Sequence, residues 1–341
     1  MNVFRVGLNP YGLAYTTGLQ GAGTPRANPN SAGLSGFLNI AREIGARCIE
    51  IHDGWLRGMG DEELARLSAT LDPGPEGPGL RGPEGPGLQT IVSTGLTQQS
   101  GETLEEAIRC ARGIGARLIR VGLSPVLEGS RARWGARWPE MVAHARETLM
   151  REAPRAGEAG LVLAIEDHQD FGSEELIAMS EEAGENVGIV LDTGNPFAVG
   201  EDPVAFTRRA AHRIRHVHLK DYRAQFSDEG YRLIRCAIGD GCVPLAEMAA
   251  VLAEHHSSLT ASLEPGALEA RHIRAFTPDW WRGYPPREAR EFAAAIGRLR
   301  HNRLADDEDY RTPWERGVSG AELIAYESTQ LYRSVENMKQ N

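Results

Sequence analysis

Four side chains able to bind a cation or move a proton stand at matched places in the second half of this sequence. Glu166 follows the apolar run LAI, Asp192 follows GIVL, His218 lies in RHVHLKD and Glu264 follows ASL. Glu166 to Asp192 is 26 residues, Asp192 to His218 is another 26, and His218 to Glu264 is 46. One strand, loop and helix fill each of the first two intervals, and a unit with a longer loop fills the third. If the four side chains meet, three carboxylates share one space with an imidazole, and they repel unless a cation sits among them. Mixed oxygen and nitrogen donors suit Mn²⁺, Co²⁺, Fe²⁺ or Zn²⁺ better than Mg²⁺ or Ca²⁺. The expected ligands are therefore Glu166, Asp192, His218 and Glu264 around one divalent ion, with Mn²⁺, Co²⁺, Fe²⁺ or Zn²⁺ ahead of Mg²⁺.

Neighbouring polar residues invite substrate roles. His216 lies two residues before His218, so strand alternation points both the same way. His218 is nearer the strand end and is the better ligand, and His216 is a packed or supporting histidine. His168, Asn195 and Lys220 are candidate substrate contacts. Lys220 either neutralises a substrate oxygen or pairs with Asp221. His52 either binds substrate or caps a turn. Trp281, with Trp280 and Tyr284, lies in the aromatic and Pro-containing stretch Arg271–Arg287, and Trp134 and Trp138 lie in an earlier loop. Their rings either stack on a sugar or pack a helix onto the core. A single carboxylate after a strand is ordinarily a helix cap or an ion-pair partner. Four polar residues closing four successive strands argue against that reading for the set.

The elements that must position these residues follow a regular rhythm. Short apolar or β-branched runs at Val3–Leu8, Arg47–Ile51, Leu88–Val92, Arg117–Val121, Leu161–Ile165, Val187–Leu191, Arg215–Leu219 and Thr260–Leu263 predict eight strands. Between and after them, Leu34–Ile44, Glu62–Leu71, Leu104–Ile114, Glu140–Arg155, Glu174–Glu182, Pro203–Arg213, Pro244–Glu254 and Pro286–Leu299 carry apolar residues at three- and four-residue spacing. Thr103 and Ser173 read as helix caps. Strict alternation predicts an α/β fold with a parallel sheet, and eight units favour a closed (β/α)8 TIM barrel over an open doubly wound sheet. In such a barrel the C-terminal strand ends converge on one mouth, where chemistry is placed. Three stretches break the rhythm: a long polar loop at 9–31, a Pro/Gly-rich excursion at 72–87 with a duplicated GPEGPGL, and a tail. Residues 1–301 form the expected barrel domain and 302–341 a C-terminal extension, helical from Ala321 to about Val335, packed on the barrel or on a partner subunit.

Bulk composition narrows the function classes. Of 341 residues, 41% are hydrophobic and 25% charged, which suffices for a large core. A net charge of −10 disfavours nucleic acid and anionic membranes as partners. The first residues carry neither a basic region nor a long apolar run, and Leu161–Ile165 is too short to span a bilayer. The four cysteines are scattered, which fits buried free thiols in a reducing cytoplasm. Asp192-Thr193-Gly194 matches an aspartic-protease triplet, but that chemistry needs two such loops in an all-β fold. The glycine-rich run 18–23 lacks the strand–turn–helix setting of a dinucleotide site, so no nucleotide cofactor is expected.

Taken together, IED at 165–167, LDTGNP at 191–196, HVHLKD at 216–221, GDG at 239–241 and SLEPG at 262–266 resemble the xylose isomerase-like barrel superfamily, specifically its sugar phosphate isomerase/epimerase-type proteins. The resemblance covers about residues 1 to 300 in organisation, and its specific motifs lie within 161–266. It implies that Glu166, Asp192, His218 and Glu264 hold the metal. It further implies that Glu166 and Glu264 form the proton-transferring pair of ketose 3-epimerases. Where those enzymes usually carry a histidine, this chain has Asn195. The three-metal DNA-repair endonucleases of the superfamily need further histidines, and the strand LQTIVSTG carries none, which argues for one metal.

The chemistry this implies is enediolate formation next to a carbonyl, with metal charge stabilising the developing oxyanion and the glutamates moving the proton. Returning the proton to the opposite face is epimerisation, and returning it to the neighbouring carbon is isomerisation. Expelling a leaving group or carboxylate makes the enzyme a lyase, such as an oxo-sugar-acid decarboxylase or a C-glycoside deglycosidase. A carbohydrate isomerase or epimerase is the primary expectation and a lyase the alternative. A non-catalytic barrel, binding a ligand or a partner through its extension, is the reading from another class. Homo-oligomerisation or a small partner subunit is compatible with the extension.

Overall fold

The computed structural model describes residues 3–71, 88–96 and 104–340 of the chain. The duplicated GPEGPGL segment and the Thr103 cap lie outside the described residues. In chain order the strands are β1 (Phe4–Leu8), β2 (Cys48–His52), β3 (Gln89–Gly95), β4 (Leu118–Gly122), β5 (Val162–Glu166), β6 (Val187–Asp192), β7 (Ile214–Leu219), β8 (Asp221–Ser227), β9 (Gly230–Cys236), β10 (Leu259–Leu263) and β11 (Arg271–Ile273). Strands β1 to β7 and β10 form a closed parallel barrel, sealed where Phe4 to Leu8 of β1 run beside Leu259 to Leu263 of β10. This is the expected TIM barrel.

Around it lie α1 (Gly33–Glu43), α2 (Asp61–Leu71), α3 (Glu105–Gly113), α4 (Arg137–Glu158), α5 (Ser173–Ala183), α6 (Pro203–Ala210), α7 (Leu245–His255), α8 (Ala289–Leu299) and α9 (Gly320–Gln340). Helix α4 begins three residues earlier than expected, at Arg137, and two further starts also differ from expectation. Ser173 is the first residue of α5 rather than its cap: Gly172 precedes the helix, and the Glu175 carboxylate reaches back to accept from the Gly172 amide at 2.9 Å. Helix α8 begins at Ala289, because Pro285 and Pro286 hold the preceding chain extended.

Strand alternation sorts side chains into two environments. Ile49 and Ile51 of β2 join the large core between sheet and helices, whereas Cys48 packs inside the barrel with Ile91, Leu118, Ala164 and Val190. Two residues further along those same strands stand Glu50, Ser93, Arg120, Glu166 and Asp192. The same step takes His216 to His218 on β7 and Ser262 to Glu264 past β10. An apolar plug therefore underlies a polar layer at the C-terminal mouth, with Ala164 and Val190 in the plug under Glu166 and Asp192 in the layer. The barrel is tight at this level: a Cβ on Gly7 would lie 1.8 Å from the Cys48 carbonyl oxygen, so the position admits only glycine.

Sequence periodicity missed a second, three-stranded sheet. The long interval between His218 and Glu264 holds the β8–β9 hairpin, which β11 extends antiparallel to β9. The hairpin follows β7 directly and leans over the mouth. Asp221 closes its base by accepting from the amides of Tyr222, Gly239, Gly241 and Val243 at 2.8 to 3.0 Å.

The C-terminal segment packs on the same face. Leu304 donates to the Ala224 carbonyl of β8 at 2.8 Å. On α9, Glu327 accepts from the amides of Tyr15 and Thr16 at 2.9 Å and from the Thr16 hydroxyl at 2.7 Å, and Ser334 accepts from the Ile238 amide at 3.0 Å. Helix α9 thus ties down the loop after β1 and the loop after β9. Among the described residues no helix is long and apolar enough to cross a membrane.

Glu327 is fully buried, so truncating it strands several donors away from water. Glu327→Ala is expected to cost about 1–3 kcal/mol of stability, measured as a lower melting temperature and faster proteolysis within residues 9–31.

Candidate active site

Each residue of the polar layer is delivered by the end of one strand, and its neighbours there are charged. His218 is central and fully buried. Its Nδ1 faces Glu166 Oε1 at 2.9 Å and Glu264 Oε2 at 3.3 Å, and its Nε2 faces Glu50 Oε2 at 2.7 Å. The Lys220 ammonium bridges Asp192 and Glu264, lying 2.9 Å from Glu264 Oε1 and in direct contact with Asp192 Oδ2. Arg235, carried in by β9, approaches Glu264 Oε1 at 3.2 Å, and Arg120 pairs with Glu166 Oε2. Donor atoms of Glu166, Asp192, His218 and Glu264 all lie within 4.8 Å of one another. The structure therefore brings the four sequence-predicted ligands to one point.

Electrostatics follows from burial set against these partners. Burial raises the Glu264 carboxyl, but Lys220 and Arg235 overcome that and hold it at about 2. Arg120, with His218, likewise holds Glu166 well below the ordinary carboxylate range despite its burial. Burial pushes Asp192 up to about 6 against the pull of Lys220. Asp167 is raised well above the usual range by burial and by Asp192, whose amide its carboxyl accepts from. Burial disfavours a charged His218, yet Glu50 and Glu166 keep its second proton on well above the ordinary histidine value.

This arrangement corrects one step of the sequence argument. Mutual repulsion among the carboxylates does not by itself demand a metal. Glu50, Glu166, Asp192 and Glu264 face Arg120, Lys220, Arg235 and the His218 imidazolium, four charges against four. The fit of a divalent ion rests instead on the donor set: three carboxylates and one ring nitrogen converge from four strands. A second grouping, Glu50 with His216 and His218, is equally close. His216, however, has both ring nitrogens engaged, Nδ1 with Thr260 Oγ1 at 2.7 Å and Nε2 with Ser262 Oγ at 3.0 Å.

Other predicted residues fall in varied places. His168 is half-buried at the mouth, and burial lowers its ring to about 4. Asn195 is buried; its Oδ1 accepts from the Tyr222 hydroxyl at 3.3 Å and its Nδ2 has no partner. Lys220 pairs with Asp192 and Glu264 and not with Asp221, whose oxygens the backbone amides occupy. Trp281 donates to the Ala275 carbonyl at 2.8 Å, with its ring edge-on to Trp280 at 4.7 Å and to Phe292 at 5.2 Å. Trp280 stacks on Tyr284 at 4.7 Å, and the Arg131 guanidinium lies 4.1 Å from the Tyr284 ring and 4.6 Å from that of Trp138. These aromatic contacts are within the protein and strap the loops together. His52 caps its own turn by accepting from the Gly54 amide at 2.9 Å.

Sequence reading missed Asn9, Glu50, Arg120 and Arg235. The first three carried a usable signal. In CIEIH and LIRVG a lone charged residue interrupts an apolar strand at the parity of an inward position. Asn9 ends the first strand as Glu166 ends the fifth. Arg235 carried none, since its place depends on a hairpin folding back.

Comparison with known proteins agrees with this architecture. A family model described as xylose isomerase-like TIM barrel matches residues 38–282. Among curated proteins, the uncharacterized protein YihM of Escherichia coli K12 is 26% identical over 211 residues, covering 61% of this chain and 59% of that protein. An inosose dehydratase of Lacticaseibacillus casei is 32% identical over 90 residues, covering 25% of this chain and 30% of that protein. The matches thus span less than two thirds of the length of these curated relatives. Among solved structures, a D-psicose 3-epimerase from Clostridium cellulolyticum H10, determined with D-tagatose, superposes with a TM-score of 0.55 at 15% identity, covering 88% of this chain and 99% of that one.

Lys220 is 1% exposed and separates two carboxylates. Lys220→Met is expected to destabilise the metal-free protein by about 3–5 kcal/mol, the scale for breaking a buried ion pair. Thermal unfolding in chelator checks this, and added Mn²⁺ is expected to restore part of the loss.

Proposed function

Because the chain belongs to the xylose isomerase-like TIM barrel family, we propose that it is a divalent-metal-dependent isomerase or epimerase of a carbohydrate or sugar derivative. The observation that carries this reading is the convergence of Glu166, Asp192, His218 and Glu264 within 4.8 Å at the C-terminal mouth. These four residues would hold the ion, with Mn²⁺ proposed ahead of Co²⁺, Fe²⁺, Zn²⁺ or Mg²⁺. When bound, the ion supplies positive charge to the oxygens of a hydroxy-carbonyl substrate, which favours the enediolate.

The protein's own groups then divide the work. Glu166 and Glu264, both kept ionised by their cationic neighbours, act as the proton-transferring pair: one takes the proton from the carbon beside the carbonyl, and the other, delivered three strands along the barrel, returns it. Lys220 donates to a substrate oxygen from between Asp192 and Glu264. Asn195 Nδ2, buried without a partner, and His168, half-buried at the mouth, are proposed to bind hydroxyl groups, with Trp281 at the outer rim. The substrate is a small-molecule carbohydrate or sugar derivative, and the four buried free thiols suit a cytoplasmic setting. Residues 302–341 act as an extension that fixes the mouth loops, and homo-oligomerisation through it remains compatible with the proposal.

A lyase on the same scaffold is the second reading. The matched segment of the inosose dehydratase favours it, since dehydration begins with the same proton removal and ends with loss of a leaving group.

Glu166→Gln and Glu264→Gln are each expected to lower kcat by about 10²-fold or more, the scale of general acid–base catalysis. Chelator treatment should abolish turnover and Mn²⁺ restore it. Incubation of candidate sugars in D₂O separates the readings: deuterium at an α-carbon without fragmentation supports isomerisation, while loss of water, CO₂ or an aglycone supports the lyase. Near-full activity of either glutamine variant would remove that residue from its role.

A further inference from the structure

Glu50 belongs to none of the roles above, yet it makes the shortest contact to His218 among groups outside the donor set. Its surroundings form a directed series of hydrogen bonds. The Tyr11 amide donates to Asn9 Oδ1 at 2.7 Å, which fixes the orientation of the Asn9 amide group. Asn9 Nδ2 donates to Glu50 Oε1 at 3.1 Å. The other oxygen, Glu50 Oε2, lies 2.7 Å from His218 Nε2. Asn9, Glu50 and His218 are each 0% exposed, so no water competes for these positions.

A carboxylate accepts and does not donate, so both ring nitrogens carry a hydrogen, Nε2 toward Glu50 at 2.7 Å and Nδ1 toward Glu166 at 2.9 Å. When Nδ1 gives up its hydrogen and Glu50 retains the one on Nε2, the neutral ring has its lone pair on Nδ1. That is the nitrogen facing Glu166 and Glu264 at 2.9 and 3.3 Å.

We propose that Glu50, braced by Asn9, is the positioning residue that holds His218 in the Nε2–H form and aims Nδ1 at the metal. The inference rests on the metal reading above and concerns a residue that reading does not use. A ligating imidazole commonly gives its remote N–H to such a carboxylate, which fixes ring and tautomer and raises ligand basicity. Glu50 itself is a poor ligand here. Taking part with His216 and His218 in a second site would require His218 to give up its Nε2 hydrogen, and His216 is already held by Thr260 and Ser262.

The test is metal binding by the full chain, with calorimetric titration of Zn²⁺ into wild type, Glu50→Gln and Glu50→Ala. Wild type should take one equivalent. Glu50→Gln, which keeps the shape and an acceptor oxygen but not the charge, should bind about 10-fold more weakly, and Glu50→Ala about 100-fold. The circular dichroism of metal-free Glu50→Gln should match wild type. In histidine-selective ¹⁵N spectra of the zinc form, His218 should show the Nε2–H tautomer in wild type and lose that uniformity in Glu50→Ala. If the Glu50 variants do not fold, Asn9→Ala leaves the Glu50–His218 contact in place and should still weaken zinc binding several-fold. Unchanged affinity in the variants overturns the role of Glu50 alone. Two equivalents in wild type, with one lost in Glu50→Gln, overturn it in favour of a second metal site. A wild-type chain that takes up no zinc, manganese or cobalt overturns the metal reading and this inference with it.

Discussion

Buried charge is the constraint on which this structure turns. Four carboxylates are held inside the mouth of a closed barrel, where leaving any one uncompensated costs several kcal/mol. Every structural feature near them answers that demand. Arg120 rises from β4 against Glu166, Lys220 follows β7 to lie between Asp192 and Glu264, and the β8–β9 hairpin brings Arg235 over Glu264. The His218 ring supplies the remaining positive charge by keeping its second proton. The result is a site balanced without an ion, yet with donors already gathered for one.

That balance bears on reactivity. Were Glu166, Asp192, His218 and Glu264 to hold a divalent ion, His218 would have to give up its second proton, which would link binding to proton release. With that proton gone, Arg120, Lys220 and Arg235 alone would be outnumbered by the four carboxylates, and the two charges of a bound ion would tip the balance to positive. Such a site favours substrates and intermediates that gain negative charge on oxygen, which is the demand of enediolate chemistry. The same electrostatics serves isomerisation and elimination alike.

The elements around the mouth are cross-linked by ring contacts, ion pairs and hydrogen bonds. Arg131 is packed among Trp138, Phe171 and Tyr284 and pairs with Glu175, Trp280 stacks on Tyr284, and α9 holds two mouth loops from outside through Glu327 and Ser334. The aromatic stretch after β10 spends most of its ring surface on neighbouring protein. Such rings tie loops to the barrel.

Much of this was legible in the sequence, for a physical reason. A strand has a side-chain period of two and a βα unit a nearly constant length, so Glu166, Asp192 and His218 recur at equal intervals and betray both the barrel and its mouth. The eight strands and most helix bounds follow from that local periodicity. Glu50 and Arg120 obeyed the same parity but stood alone in their strands, where a single charge reads as a cap or a surface residue. Local pattern carries no information about which distant groups meet. Only the closed barrel decided that Lys220 faces Asp192 and Glu264 instead of adjacent Asp221, that the tryptophans pack inward on Arg131 and Phe292, and that Arg235 returns to the site on a hairpin. Those outcomes depend on which buried charges must be matched across strands far apart in the chain, and that matching exists only in three dimensions.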